Sequence, residues 1–143
     1  MTRYPYLSLA HSLLVLRVSV AIFFMAHAAV RIVVGSIPVF GGFLETQGFP
    51  AGVVLVWLIT IYELSAGLMM ALGKYTRLMT AGFAVIVVGG IILIHARLGW
   101  FVGEHGIGGM EYSMSLLVSL LVIAASDGLA GATPERPNSI GKS

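Results

Sequence analysis

The sequence predicts an all-α protein, a bundle of four transmembrane helices with both termini in the cytoplasm. Four apolar runs fill most of the 143 residues, and about 20 helical residues are enough to cross a hydrocarbon core. Residues are 58% hydrophobic and 10% charged, with a mean hydropathy of +0.99, leaving too few charges to solubilise a globule of this size. Arg3, Lys74, Arg77, Arg136 and Lys142 fall on the side shared by the termini and the second loop, against Arg31 and Arg97 on the other. Basic flanks stay in the cytoplasm, which sets the orientation. The formal charge of +2 comes with no basic run dense enough for nucleic acid. Without cysteine there is no disulfide, thiolate metal site, iron–sulfur cluster or c-type haem attachment.

The first span, Leu13–Val34, carries Arg17, Val20, Phe24, His27 and Arg31 at intervals of three and four, one inward-facing stripe. Ala26-His27-Ala28 resembles a leader cleavage site, but Arg17 interrupts the apolar core that a leader needs and apolar residues resume at Val30. After the connection Gly35–Pro50, the second span, Ala51–Leu72, places Val56, Ile59, Glu63, Gly67 and Met70 on one face. Gly73–Arg77 leads to the third span, Leu78–Leu98, where Arg77 and His95 lie about five turns apart and so on the same side. A glycine-rich outer loop between the third and fourth helices, around Gly103–Gly109, is expected to fold back as a lid. The fourth span, Glu111–Leu129, presents Glu111, Ser115, Ser119, Val122 and Ser126 on one face, its small residues suited to close helix contact. The transmembrane domain is therefore 1–129, and 130–143 is a polar, flexible cytoplasmic tail with Pro134 and Pro137.

A charge in hydrocarbon costs about 2.5–3.5 kcal/mol on insertion scales, so each intramembrane ionisable group needs a partner, a ligand or water. Depth measured from the apolar edges sets Arg17 level with Glu63 and Arg77 beside Asp127, two expected structural ion pairs. The outer layer gathers His27, Arg31, His95, Arg97 and Glu111, with Glu104 and His105 from the loop, more groups than packing requires. A functional pocket is expected there. His27, His95 and Glu111 form its candidate catalytic set, because imidazole exchanges protons near neutrality. Arg31, Arg97, Glu104, His105 and the interface aromatic Tyr112 form its candidate binding set.

Several local patterns recur in a known order. Leu16-Arg17, His27 with a basic residue four positions on, Gly48-Phe49-Pro50, Glu63 with Gly67, and Leu72-Gly73 followed by Thr76-Arg77 come first. His95, Gly109-x-Glu111-Tyr112 and Asp127-Gly128 follow. In this order the chain resembles the DoxX family of small four-helix bacterial membrane proteins, from residue 16 to about 128. It departs at His27-Ala28, where the family has His-Gly, and at Arg31, where lysine is common.

The resemblance implies a quinone-linked or redox-associated subunit of the bacterial inner membrane. The family takes its name from small subunits of a thiosulfate:quinone oxidoreductase, and other members are similar to components of oxidative-stress complexes. On that footing a quinone is the expected cofactor. His27 or His95 would hydrogen-bond its carbonyl, Arg31 or Arg97 would stabilise charge, and Glu111 would move the proton. Three alternatives stand beside it: an accessory or assembly subunit that docks a larger redox complex, a haem held by His27 and His95, and a metal site from His27, His95 and Glu111 with His105 or Glu104 as a further ligand. On the leading reading no resident metal is expected. Expected partners are lipid, a quinone or other small apolar ligand, and further redox subunits or a second copy of the chain.

Overall fold

The computed structural model describes residues 6–102 and 108–130, the last three by their backbone. Glu104 and His105 of the expected lid, the tail from 131, and Arg3, Arg136 and Lys142 lie outside the described residues. Five α-helices follow in order: α1 (Leu9–Val33), α2 (Ile37–Thr46), α3 (Gly52–Ala71), α4 (Thr76–Leu93) and, after a 3-10 turn at His95–Leu98, α5 (Glu111–Ala130). Among the described residues no strand occurs. By length and composition α1, α3 and α4 can each cross a membrane. α5 has 20 residues and packs against α4 and α1.

Two departures from the sequence expectation matter for function. The segment Gly35–Pro50 is not a bare connection but contains α2, which packs on α3. The third span stops at Leu93 rather than Leu98: Ile94 leaves helical geometry at φ −125°, ψ −64°, and His95 opens a separate turn. The side of the chain His95 occupies is therefore set by this turn and not by helical periodicity from Arg77.

The helix ends are specified locally. At the end of α1, Ser36 N–H bonds Arg31 C=O (3.1 Å) and Gly35 N–H bonds Ile32 C=O (3.1 Å), with Gly35 at φ +69°. This is a Schellman arrangement, which glycine enters without a Cβ penalty. α3 ends the same way, with Lys74 N–H on Met69 C=O and Gly73 at φ +72°. Gln47–Phe49 closes α2 likewise through Phe49 N–H on Leu44 C=O. The next helix begins at once, because Glu45 Oε1 accepts from the Gly52 N–H at 3.0 Å and supplies a cap to α3.

Packing sets the register. Arg17 lies against Gly73, Ala21 and Met25 against Gly67, and Arg31 against Thr60 and Glu63, so α1 and α3 run antiparallel. The main core joins Val20, Ala21 and Phe24 of α1 to Ala66 and Met70 of α3, Phe83 and Val87 of α4, and Leu120 and Ile123 of α5. Phe24 and Phe83 stack at 4.1 Å between centroids, and Tyr62 meets Phe83 edge-on at 5.4 Å. A second, smaller core of Ile37, Leu44 and Val56 sits between α2 and α3. There the backbones touch: a Cβ on Gly52 would collide with the carbonyl oxygen of Gly41.

Candidate functional site

The expected pairing of Arg17 with Glu63 does not form. Glu63 Oε2 instead receives Arg31 Nη1 at 2.7 Å, with the two side chains 8% and 3% exposed. The physical reason is the offset between helices. Apolar edges place Arg17 and Glu63 at equal depth, but α1 begins at Leu9 and its first turns extend past the end of α3, so Arg17 stands opposite Gly73. Glu63 lies about 15 Å further along α3. Arg77 and Asp127 form no ion pair within 4.0 Å either; Arg77 Nε donates to the Ala124 carbonyl at 3.2 Å.

Arg31 is the centre of the site. Its Nη1 also donates to Thr60 Oγ1 at 2.8 Å, and that hydroxyl is oriented by donating to Val56 C=O at 2.7 Å. One buried nitrogen thus serves a carboxylate and a hydroxyl on one face of α3, where Thr60 and Glu63 are three residues apart. Nε and Nη2 form no hydrogen bond among the described residues. The Phe40 ring, from α2, stands 5.7 Å from the guanidinium carbon, within cation–π range.

Arg31 lines an open cleft of about 350 Å³ at the end of the bundle away from the α3–α4 turn. His27 and Val30 of α1 line one side, Ser36 and Phe40 another, and Ile94 and His95 the third. His27 is exposed and lies one turn before Arg31. His95 is half-buried because the turn after α4 folds its ring back over Gly90, where a Cβ would stand 3.7 Å from Cδ2. The cleft therefore unites two imidazoles, a guanidinium with free N–H donors and apolar walls.

Other members of the predicted set lie elsewhere. Glu111 Oε1 accepts from the Val102 N–H at 3.0 Å and does not line the cleft. Arg97 Nη2 donates to Gln47 Oε1 at 3.0 Å, tying the 3-10 turn to the end of α2, and Tyr112 is exposed. Sequence reasoning missed Thr60, Ser36 and Phe40. For Thr60 the signal was present, since it shares the buried line of Val56, Glu63, Gly67 and Met70. Among the described residues no three His, Asp or Glu side chains gather as a metal would require.

Apolar helices of span length, packed around a core and bearing at one end an apolar-walled cleft with a few polar groups, define a multi-pass membrane protein. The sequence model of the DoxX family matches residues 12–96, more than half of the chain, and the chain belongs to that family. The match takes in most of α1 and all of α2 to α4, with His27, Arg31, Glu63 and His95, and ends before Glu111-Tyr112 and Asp127-Gly128. No curated protein and no solved structure matches the chain.

Proposed function

We propose that the protein is a membrane subunit of a quinone-linked redox system, with α5 as a fourth span, both termini in the cytoplasm of a bacterial inner membrane, and the cleft near the outer face. The observation that carries this reading is the meeting of His27, His95 and Arg31 in one apolar-walled cleft. Because Glu63 neutralises Arg31, the site offers donors without net charge. That chemistry suits a neutral carbonyl, such as a quinone oxygen, better than an anion. Arg31 Nε or Nη2 would donate to one carbonyl, and either imidazole can hydrogen-bond the other and exchange its proton. Glu111, bound to the Val102 N–H, is not used in this scheme.

Purification in mild detergent from quinone-replete membranes, followed by solvent extraction, tests the reading. Bound quinone that falls after His27→Ala with His95→Ala supports it, and no bound quinone with no quinone-dependent turnover in a reconstituted complex refutes it. The second reading, an accessory subunit without chemistry of its own, is favoured by the removal of Glu111 from the cleft. It predicts a stoichiometric partner in a native pull-down, with the complex fully active after both histidine substitutions.

A further inference from the structure

We infer that the end of the bundle at the α3–α4 turn, opposite the cleft, holds a binding site for a phosphate group, formed by Arg17, Lys74 and the first turn of α4. Two buried side-chain polar atoms lack a hydrogen-bond partner among the described residues, Arg17 Nε and Thr76 Oγ1. Both belong to this end. A Cβ on Gly73 would stand 3.1 Å from Arg17 Nη1 and 3.2 Å from Nη2, so the guanidinium rests against the turn itself. Thr76, three residues on, is 1% exposed and is the first residue of α4. Thr60 and Thr80 behave as buried helical threonines usually do, each hydroxyl bonding a carbonyl one turn back. Thr76 has no such bond.

The start of α4 is equally unsatisfied. Tyr75 precedes it at φ 52° and gives no side-chain cap, and the N–H groups of Thr76, Arg77 and Leu78 find no acceptor among the described residues. Lys74 is exposed beside them. The unpartnered groups at this end are therefore a guanidinium, an ammonium, a hydroxyl and helix N-terminal N–H groups, all of them donors. The carboxylates do not compensate them: Glu63 is held by Arg31 at mid-bundle, and Asp127, one turn past the Ala124 carbonyl that Arg77 binds, forms no ion pair within 4.0 Å. A helix N-terminus beside Arg is a setting that binds phosphate oxygens. Because α3 and α4 are both membrane-length, the turn joining them lies at a membrane surface, among lipid phosphodiesters.

Native mass spectrometry of the full chain in micelles containing phosphatidylglycerol, phosphatidylcholine or inorganic phosphate tests the site. Retention of phosphatidylglycerol over phosphatidylcholine is expected, falling about tenfold in Arg17→Gln and in Thr76→Val, the scale of a lost charge-assisted hydrogen bond. A phosphate adduct without lipid preference, lost in the same variants, supports the site and identifies a soluble anion as its ligand. Equal retention of both lipids with no phosphate adduct overturns the inference. Should Arg17→Gln fail to fold, Thr76→Val and Lys74→Gln decide, and wild-type retention in both overturns it as well.

Discussion

Arg31 decides the behaviour of the cleft end of the bundle, because it is a buried cation that lines the cleft, with one nitrogen committed to Glu63 and Thr60 and the others without a hydrogen bond among the described residues. Removing one member of such a pair strands the other charge, whereas replacing both with apolar groups of similar volume is often tolerated. Glu63→Ala or Arg31→Ala is therefore expected to lower stability by about 3–5 kcal/mol. Arg31→Met with Glu63→Leu should cost less than either single change. Thermal unfolding in detergent, followed by circular dichroism, checks this, and a double substitution that costs more than either single change would show that the pair is not coupled. His27 is exposed and makes no structural hydrogen bond. His27→Ala should change stability by less than about 0.5 kcal/mol while lowering ligand retention.

Among the elements, α2 gives the cleft its third dimension. Ile37, Gly41 and Leu44 form its buried face, and Gly41 meets Gly52 backbone to backbone. Gly52→Ala should destabilise by about 1–3 kcal/mol through overpacking and widen the cleft as α2 shifts. Gly42 sits in the same helix with nothing within 4 Å of an added Cβ. Gly42→Ala should stabilise by about 0.5–1 kcal/mol, since alanine is the better helix former. Urea unfolding of the two variants beside the wild type distinguishes them.

Legibility in the sequence followed the same division. The long helices were readable from apolar length, and the inward placement of Val20, Phe24 and Arg31 from their spacing. α2 was hidden because 10 residues fall short of a span and its segment is rich in glycine, yet Ile37, Gly41 and Leu44 carry helical spacing and Gly48 supplies the stop. The Arg31–Glu63 pair was not readable, since apolar run lengths say nothing of how far one helix slides past another. The break at Ile94 brings His95 to the cleft that His27 also lines, and nothing in the apolar pattern marks it.

For the whole molecule, the proposed topology puts the Lys74 turn and the Gln47–Arg97 contact on opposite membrane faces. The chain has no cysteine, so single-cysteine reporters need no background removed. A membrane-impermeant maleimide should reach Gln47→Cys from outside intact cells and Lys74→Cys only after lysis; the reverse pattern would invert the bundle. The central claim, that the cleft of His27, Arg31 and His95 takes a quinone-like ligand, is tested most directly by photolabelling with an azidoquinone and mapping the adduct by mass spectrometry. Label on residues 27–40 and 94–95, competed by unmodified quinone, is the predicted result. Label confined to other segments, or undiminished by competitor, would contradict it.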